Sequence, residues 1–69
     1  MSTVVVVVNG IERTVGAGTS VADLVGELAV GAAGVAVAVD SQVVPRSGWA
    51  TSLVSDGARV EVVTAMQGG

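Results

Sequence analysis

The sequence of 69 residues contains no cysteine, no histidine and no lysine. Without cysteine there is no disulfide, no thiolate zinc site and no thiol nucleophile. Without histidine the commonest general base and metal ligand is missing. The three cations are Arg13, Arg46 and Arg59, set against six carboxylates, and the only aromatic is Trp49. That balance argues against nucleic acid, whose recognition rewards clustered positive charge and stacking aromatics. The longest purely apolar run, Val4–Val8, is far too short to span a bilayer. It has no basic residues ahead of it, so it does not read as a signal peptide, and the cytoplasm is the expected compartment. What the chain does have is small apolar side chains. Hydrophobic residues make up 51% of it, which excludes disorder by composition. The length allows one small domain, near the size at which a single core is only just sufficient.

Val4–Val8 is β-branched throughout, which favours a strand. Being apolar on both faces, it reads as a central strand covered on each side. Asn9-Gly10 suits the positive φ angles of a type I′ hairpin turn. Ile11–Val15 then alternates and reads as the return strand, with Arg13 snorkelling at the edge. After the Gly16-Ala17-Gly18 connector, Ser20 and Asp23 form an Asp variant of the capping box. Val21, Leu24, Val25 and Leu28 lie at i, i+3, i+4 and i+7, one apolar helical stripe for a sheet. Gly31-Ala32-Ala33-Gly34 ends that helix. Val35–Val39 reads as a third strand, Asp40-Ser41-Gln42 as a turn and Val43-Val44 as a short strand. Pro45 keeps that strand short or at an edge, because it cannot donate to a ladder. Arg46–Ala50 is irregular or a helical turn, Ser55-Asp56-Gly57 is a tight turn, and Ala58–Thr64 is the last strand. The order β-β-α-β-β-β, with one amphipathic helix across a mixed sheet, predicts a two-layer α+β domain.

The sequence closes on Ala65-Met66-Gln67-Gly68-Gly69. A terminal glycine pair reads in two ways, as a frayed end or as a thin tail. Lacking Cβ atoms, such a tail can thread a free α-carboxylate into a partner's active site. The element order is that of the β-grasp, or ubiquitin-like, fold. Val43-Val44-Pro45-Arg46-Ser47-Gly48-Trp49 resembles the V-P-R-S-x-W segment of the ThiS family, the bacterial sulfur carriers of thiamine biosynthesis. Asn9-Gly10, Asp56-Gly57 and Gly68-Gly69 fall in that family's order, and the likeness covers essentially the whole chain. The departures are a core without Phe or Tyr, and strands built almost wholly of valine and alanine.

The resemblance implies a β-grasp domain over residues 1–66 and a flexible tail over 67–69. It implies a carrier, not an enzyme, with no catalytic residue, bound cofactor or metal of its own. An E1-like, ThiF-type adenylyltransferase using ATP and Mg2+ would activate Gly69. A persulfide, supplied through a relay such as a cysteine desulfurase, would then leave a thiocarboxylate there. That species would donate sulfur to a ThiG-type thiazole synthase. Gly68 would keep the tail thin. Trp49, Arg46 and Met66 are candidate partner contacts, each with a plainer alternative. Trp49 would otherwise lid the valine core, its indole N–H reaching a backbone carbonyl or water. Arg46 would otherwise pair with Asp40 or Asp56 across an exposed turn. Apolar positions left on the open sheet face near the tail would form the docking surface. Rival readings are the small subunit of molybdopterin synthase, a carrier for cysteine biosynthesis, a ubiquitin-like modifier and a β-grasp binding module with an incidental tail.

Overall fold

The computed structural model describes residues 2–28 and 34–64. The tail residues Met66, Gly68 and Gly69 lie outside the described residues, as does most of the expected helix stop, Gly31-Ala32-Ala33. Two strands, β1 (Thr3–Val8) and β2 (Ile11–Gly16), form the N-terminal hairpin. Its turn residues Asn9 and Gly10 have φ of 50° and 84°, the two positive values that a type I′ turn requires. The helix α1 (Val21–Glu27) follows, then β3 (Val35–Val39) and β4 (Gln42–Val44). A 3-10 turn over Arg46–Gly48 leads on towards β5 (Arg59–Thr64). Gln42, expected in the turn, instead pairs with Val39, because Asp40 and Ser41 alone supply the positive φ angles of a two-residue turn.

The five strands lie in the order β2-β1-β5-β3-β4. All neighbours are antiparallel except β1 and β5, which run parallel. The last strand therefore sits in the middle of the sheet, and short β4, ending before Pro45, sits at an edge. This mixed sheet with one helix is the β-grasp arrangement expected from the element order.

Ser20 starts α1 with a complete capping box. The Asp23 N–H donates to Ser20 Oγ at 3.0 Å, and the Ser20 N–H donates to Asp23 Oδ2 at 3.2 Å. Val21, Leu24 and Val25 are buried and Leu28 half-buried, so the apolar stripe packs as its spacing predicts. It meets Val6 and Val8 of β1, Val37 of β3 and Val60 of β5 in one cluster, joined by Val15, Trp49, Val54 and Ala58.

The expectation that Val4–Val8 is covered on both faces is corrected. Val6 and Val8 point into the core, whereas Val5 is exposed and Val7 only half-buried. One short helix and the 49–54 segment furnish apolar cover for one face, so the valine run alternates between the core and an open face.

Two substitutions separate packing from helix propensity. Leu24, fully buried, should cost about 2–5 kcal/mol of unfolding free energy when replaced by alanine. Gly26 has open space around its Cβ position, so Gly26→Ala should stabilise by up to about 1 kcal/mol. Urea denaturation followed by circular dichroism checks both.

Candidate functional site

The described part of the site is the strand that leads to the terminal glycines and the surfaces on either side of it. β5 is held on both flanks. On the β3 side, Val35–Val39 pairs with it antiparallel along its length, from Val39 opposite Val60 to Val35 opposite Thr64. The hairpin turn adds the Asp40 N–H donating to the Arg59 carbonyl at 2.8 Å and the Arg59 N–H donating to Asp40 Oδ1 at 3.0 Å. On the β1 side, the Val7 N–H donates to the Ala58 carbonyl and the Asn9 N–H to the Val60 carbonyl, both at 2.9 Å. The Asn9 side chain then takes over from the backbone. Its Oδ1 accepts from the Val62 N–H at 2.9 Å, and its Nδ2 donates to the Val62 carbonyl at 3.0 Å. Asp56 does similar work at the other end, accepting from the Val5 N–H at 2.8 Å while the Gly57 N–H donates to the Val5 carbonyl at 2.7 Å.

These Asx roles are not visible in the sequence, where Asn9, Asp40 and Asp56 read only as turn formers. A short side chain carrying an acceptor at a strand end is the available signal, but the partner of Asn9 lies 53 residues away.

The open sheet face carries a shallow depression lined by Ala36, Ala38, Val43, Glu61 and Val63. Registers Ala36 with Val63 and Ala38 with Val43 put these side chains on one face. Val43 is 75% exposed and Val63 61% exposed. The patch lies against the last described residues of β5.

Trp49 and Arg46 stand together. Trp49 is 5% exposed, and its Nε1 donates to the Val44 carbonyl at 2.9 Å, so the indole closes one end of the core with its polar atom satisfied. Arg46 is exposed, with its guanidinium carbon 5.9 Å from the Trp49 ring centroid, within cation–π range. Asp40 and Asp56, the carboxylates expected across the turn from it, each accept from a backbone N–H, that of Arg59 and that of Val5.

The Trp49–Ser52 stretch also completes the start of the helix. The Ala22 N–H donates to the Trp49 carbonyl at 3.1 Å and the Val21 N–H to the Ser52 carbonyl at 2.8 Å. With the capping box, the N–H groups of Ser20, Val21, Ala22 and Asp23 all have partners, which accounts for the four donors a helix start leaves open. The motif that carries the family resemblance is thus a brace between β4 and α1. Among the described residues there is no cluster of His, Cys, Asp or Glu able to hold a metal ion, and no helix long and apolar enough to cross a membrane.

Among the described residues, the sheet order and the capped helix packed on one face of the sheet define a ubiquitin-like β-grasp domain. The sequence matches the ThiS family over residues 4–69. The chain belongs to the ThiS family. Its fold is similar to the crystal structure of the thiamine biosynthesis protein ThiS from Geobacter metallireducens. That structure gives a TM-score of 0.78 at 35% identity, covering 94% of this chain and 99% of that one. The chain is also 41% identical over 63 residues to a thiazole synthase of Paramagnetospirillum magneticum. The match takes in 91% of this chain but only 19% of that protein, so the chain spans about a fifth of its relative's length.

Trp49→Phe tests the brace. It removes the hydrogen bond to Val44 and part of a buried volume, and should lower stability by about 1–3 kcal/mol. The transition should be followed by circular dichroism, since the variant has no indole to report.

Proposed function

We propose that this protein carries sulfur on its C-terminal glycine for thiazole formation in thiamine biosynthesis. The observation that carries the reading is the family match, which runs through Gly68 and Gly69. A carboxylate resists nucleophilic attack, so Gly69 must first be activated. An E1-like adenylyltransferase using ATP and Mg2+ forms the acyl-adenylate and releases pyrophosphate. The sulfur of a persulfide then attacks the carbonyl carbon and AMP leaves. Cleavage of the sulfur–sulfur bond by a thiol leaves the thiocarboxylate. Every acid, base and nucleophile in this scheme comes from a partner, in keeping with a chain that has no histidine, cysteine or lysine. The protein is a cosubstrate, and its work is done in the cytoplasm.

The acceptor in this reading is a thiazole synthase. Support comes from the relative of that name, a protein with a segment 41% identical to this chain. It favours the thiazole pathway over a molybdopterin or cysteine acceptor. Residues 1–66 act as the body that partners grip, and 67–69 as the part that enters an active site. The apolar patch of Val43 and Val63 beside β5 is the surface on which the activating enzyme and the synthase dock in turn. In this reading Arg46, exposed above Trp49, meets a partner's carboxylate, and Met66 is a further partner contact.

Alkylation with iodoacetamide followed by fragment mass spectrometry tests the reading on protein purified from its own cells. Intact mass alone misleads, because exchanging oxygen for sulfur adds nearly the same mass as oxidising Met1 or Met66. The chain has no cysteine to compete for the label, so the label is expected on Gly69. If Gly69 stays unlabelled even after incubation with ATP, a sulfur source and the adenylyltransferase, the protein is not a sulfur carrier. Gly68→Val is expected to slow adenylation at least about tenfold, because a β-branched side chain obstructs a channel fitted to bare backbone. Pyrophosphate release reports that rate, and a wild-type rate would overturn the channel argument.

A further inference from the structure

We infer that Asn9 is a positioning residue for the reacting terminus: its carboxamide latches the last strand at Val62 and so sets the line on which the chain leaves the sheet towards Gly69. The consequence for transfer rests on the carrier reading above. The latch itself does not.

The parallel ladder between β1 and β5 has only two residue pairs, Val7 with Arg59 and Val8 with Val60. At Asn9 the backbone turns into the left-handed region, with φ of 50°, and β1 ends there. The next rung would need a carbonyl to receive the Val62 N–H and an N–H for the Val62 carbonyl. The Asn9 side chain offers both from one residue, at 2.9 and 3.0 Å. Among the residues that suit this turn only asparagine brings a separate donor atom and acceptor atom, since a carboxylate has no donor and glycine has no side chain. The turn itself would accept glycine or aspartate at this position. The turn therefore does not require asparagine, but the two bonds to Val62 do.

Location gives the latch its consequence. Val62 lies on the β1 flank of β5, and past it only β3 pairs with the strand, through Ala36 with Val63 and Val35 with Thr64. On the β1 side, Val62 and Thr64 border a cleft with Ile11, Arg13 and Leu28. Without the latch, the end of β5 would be held on one flank and free to swing into that cleft. With it, both flanks are held up to Val62. A partner that grips the sheet then meets a terminus whose starting point is already fixed. Less ordering is left to be done on binding.

Asn9→Gly is the clean variant, since it keeps the turn and deletes both bonds. Asn9→Asp keeps the acceptor but sets a carboxylate oxygen against the Val62 carbonyl, and serves if the glycine variant does not fold. Amide hydrogen exchange on the full chain, read by NMR, should show the Val62 amide exchanging about tenfold faster in either variant, a factor expected for a lost hydrogen bond. The strand amides of Val6 and Val37 should keep their wild-type rates. With the adenylyltransferase, KM for the variant protein should rise about fivefold at unchanged kcat, the pattern of a loss shared by ground and transition states. Equal acceleration at Val6, Val37 and Val62 would overturn the latch, as would an unchanged Val62. A local loss at Val62 with unchanged KM would overturn the positioning role. If the wild-type protein is not adenylated at all, the carrier reading fails, and the exchange rates alone decide on the latch.

Discussion

The N-terminal hairpin and the C-terminal strand meet in a parallel contact of two residue pairs, and that contact makes one sheet out of two. On one side of it lie β2 and β1, and on the other β5, β3 and β4. Parallel pairs are slightly weaker per residue than antiparallel ones, and this pair is short. Side chains reinforce it at both ends, with Asp56 receiving the Val5 N–H and Asn9 engaging Val62. The long separation along the chain adds little further penalty, because loop-closure entropy grows only logarithmically with length. What decides whether the strands stay together is the local bonding, together with the core that α1 presses onto the seam.

That core is small and lies on one face only. Among the described residues Leu24 and Trp49 are the only buried side chains larger than valine, and valines from four strands and the helix fill most of the rest. Trp49 matters out of proportion because it closes the end that valine cannot reach, while its backbone and that of Ser52 supply the acceptors for the helix start. Packing and capping are therefore coupled through a single segment. The uncovered face leaves Val5, Val43 and Val63 in contact with solvent. A run such as Val4–Val8 is a hazard in an unfolded chain. In the fold its backbone is shielded, since β1 lies between β2 and β5.

The local grammar of the chain was legible because its signals are local. Asn9-Gly10, Ser20 with Asp23, the stripe from Val21 to Leu28 and Pro45 each act within a few residues, and each predicts the element that forms there. The motif ending in Trp49 was legible as a family likeness, but its role was not. That role depends on Ala22, which precedes it by more than a helix turn and a hairpin. The failed expectation about Val4–Val8 has the same root. A β-branched run signals a strand whichever face is covered, and only the number of covering elements decides the rest. Asn9 was the least legible of all, because its hairpin role fully explained its presence. Its second role needs Val62, which nothing in the neighbourhood of Asn9 announces.

On the carrier reading proposed above the body contributes position, in keeping with a chain that has no histidine, cysteine or lysine. Position is limited by the five residues that follow Thr64. Whatever path they take, Gly69 cannot lie more than about 18 Å from Thr64. A partner that gripped the patch of Val43 and Val63 would therefore have to hold its reacting atoms within that radius of the end of β5. On that reading an activating enzyme and a sulfur acceptor would face the same limit, so one docking surface serving both would present the glycine from the same origin each time. A final strand in the middle of the sheet, held on both flanks up to Val62, provides that origin. An edge strand, with one flank free, would blur it by the swing of its own end.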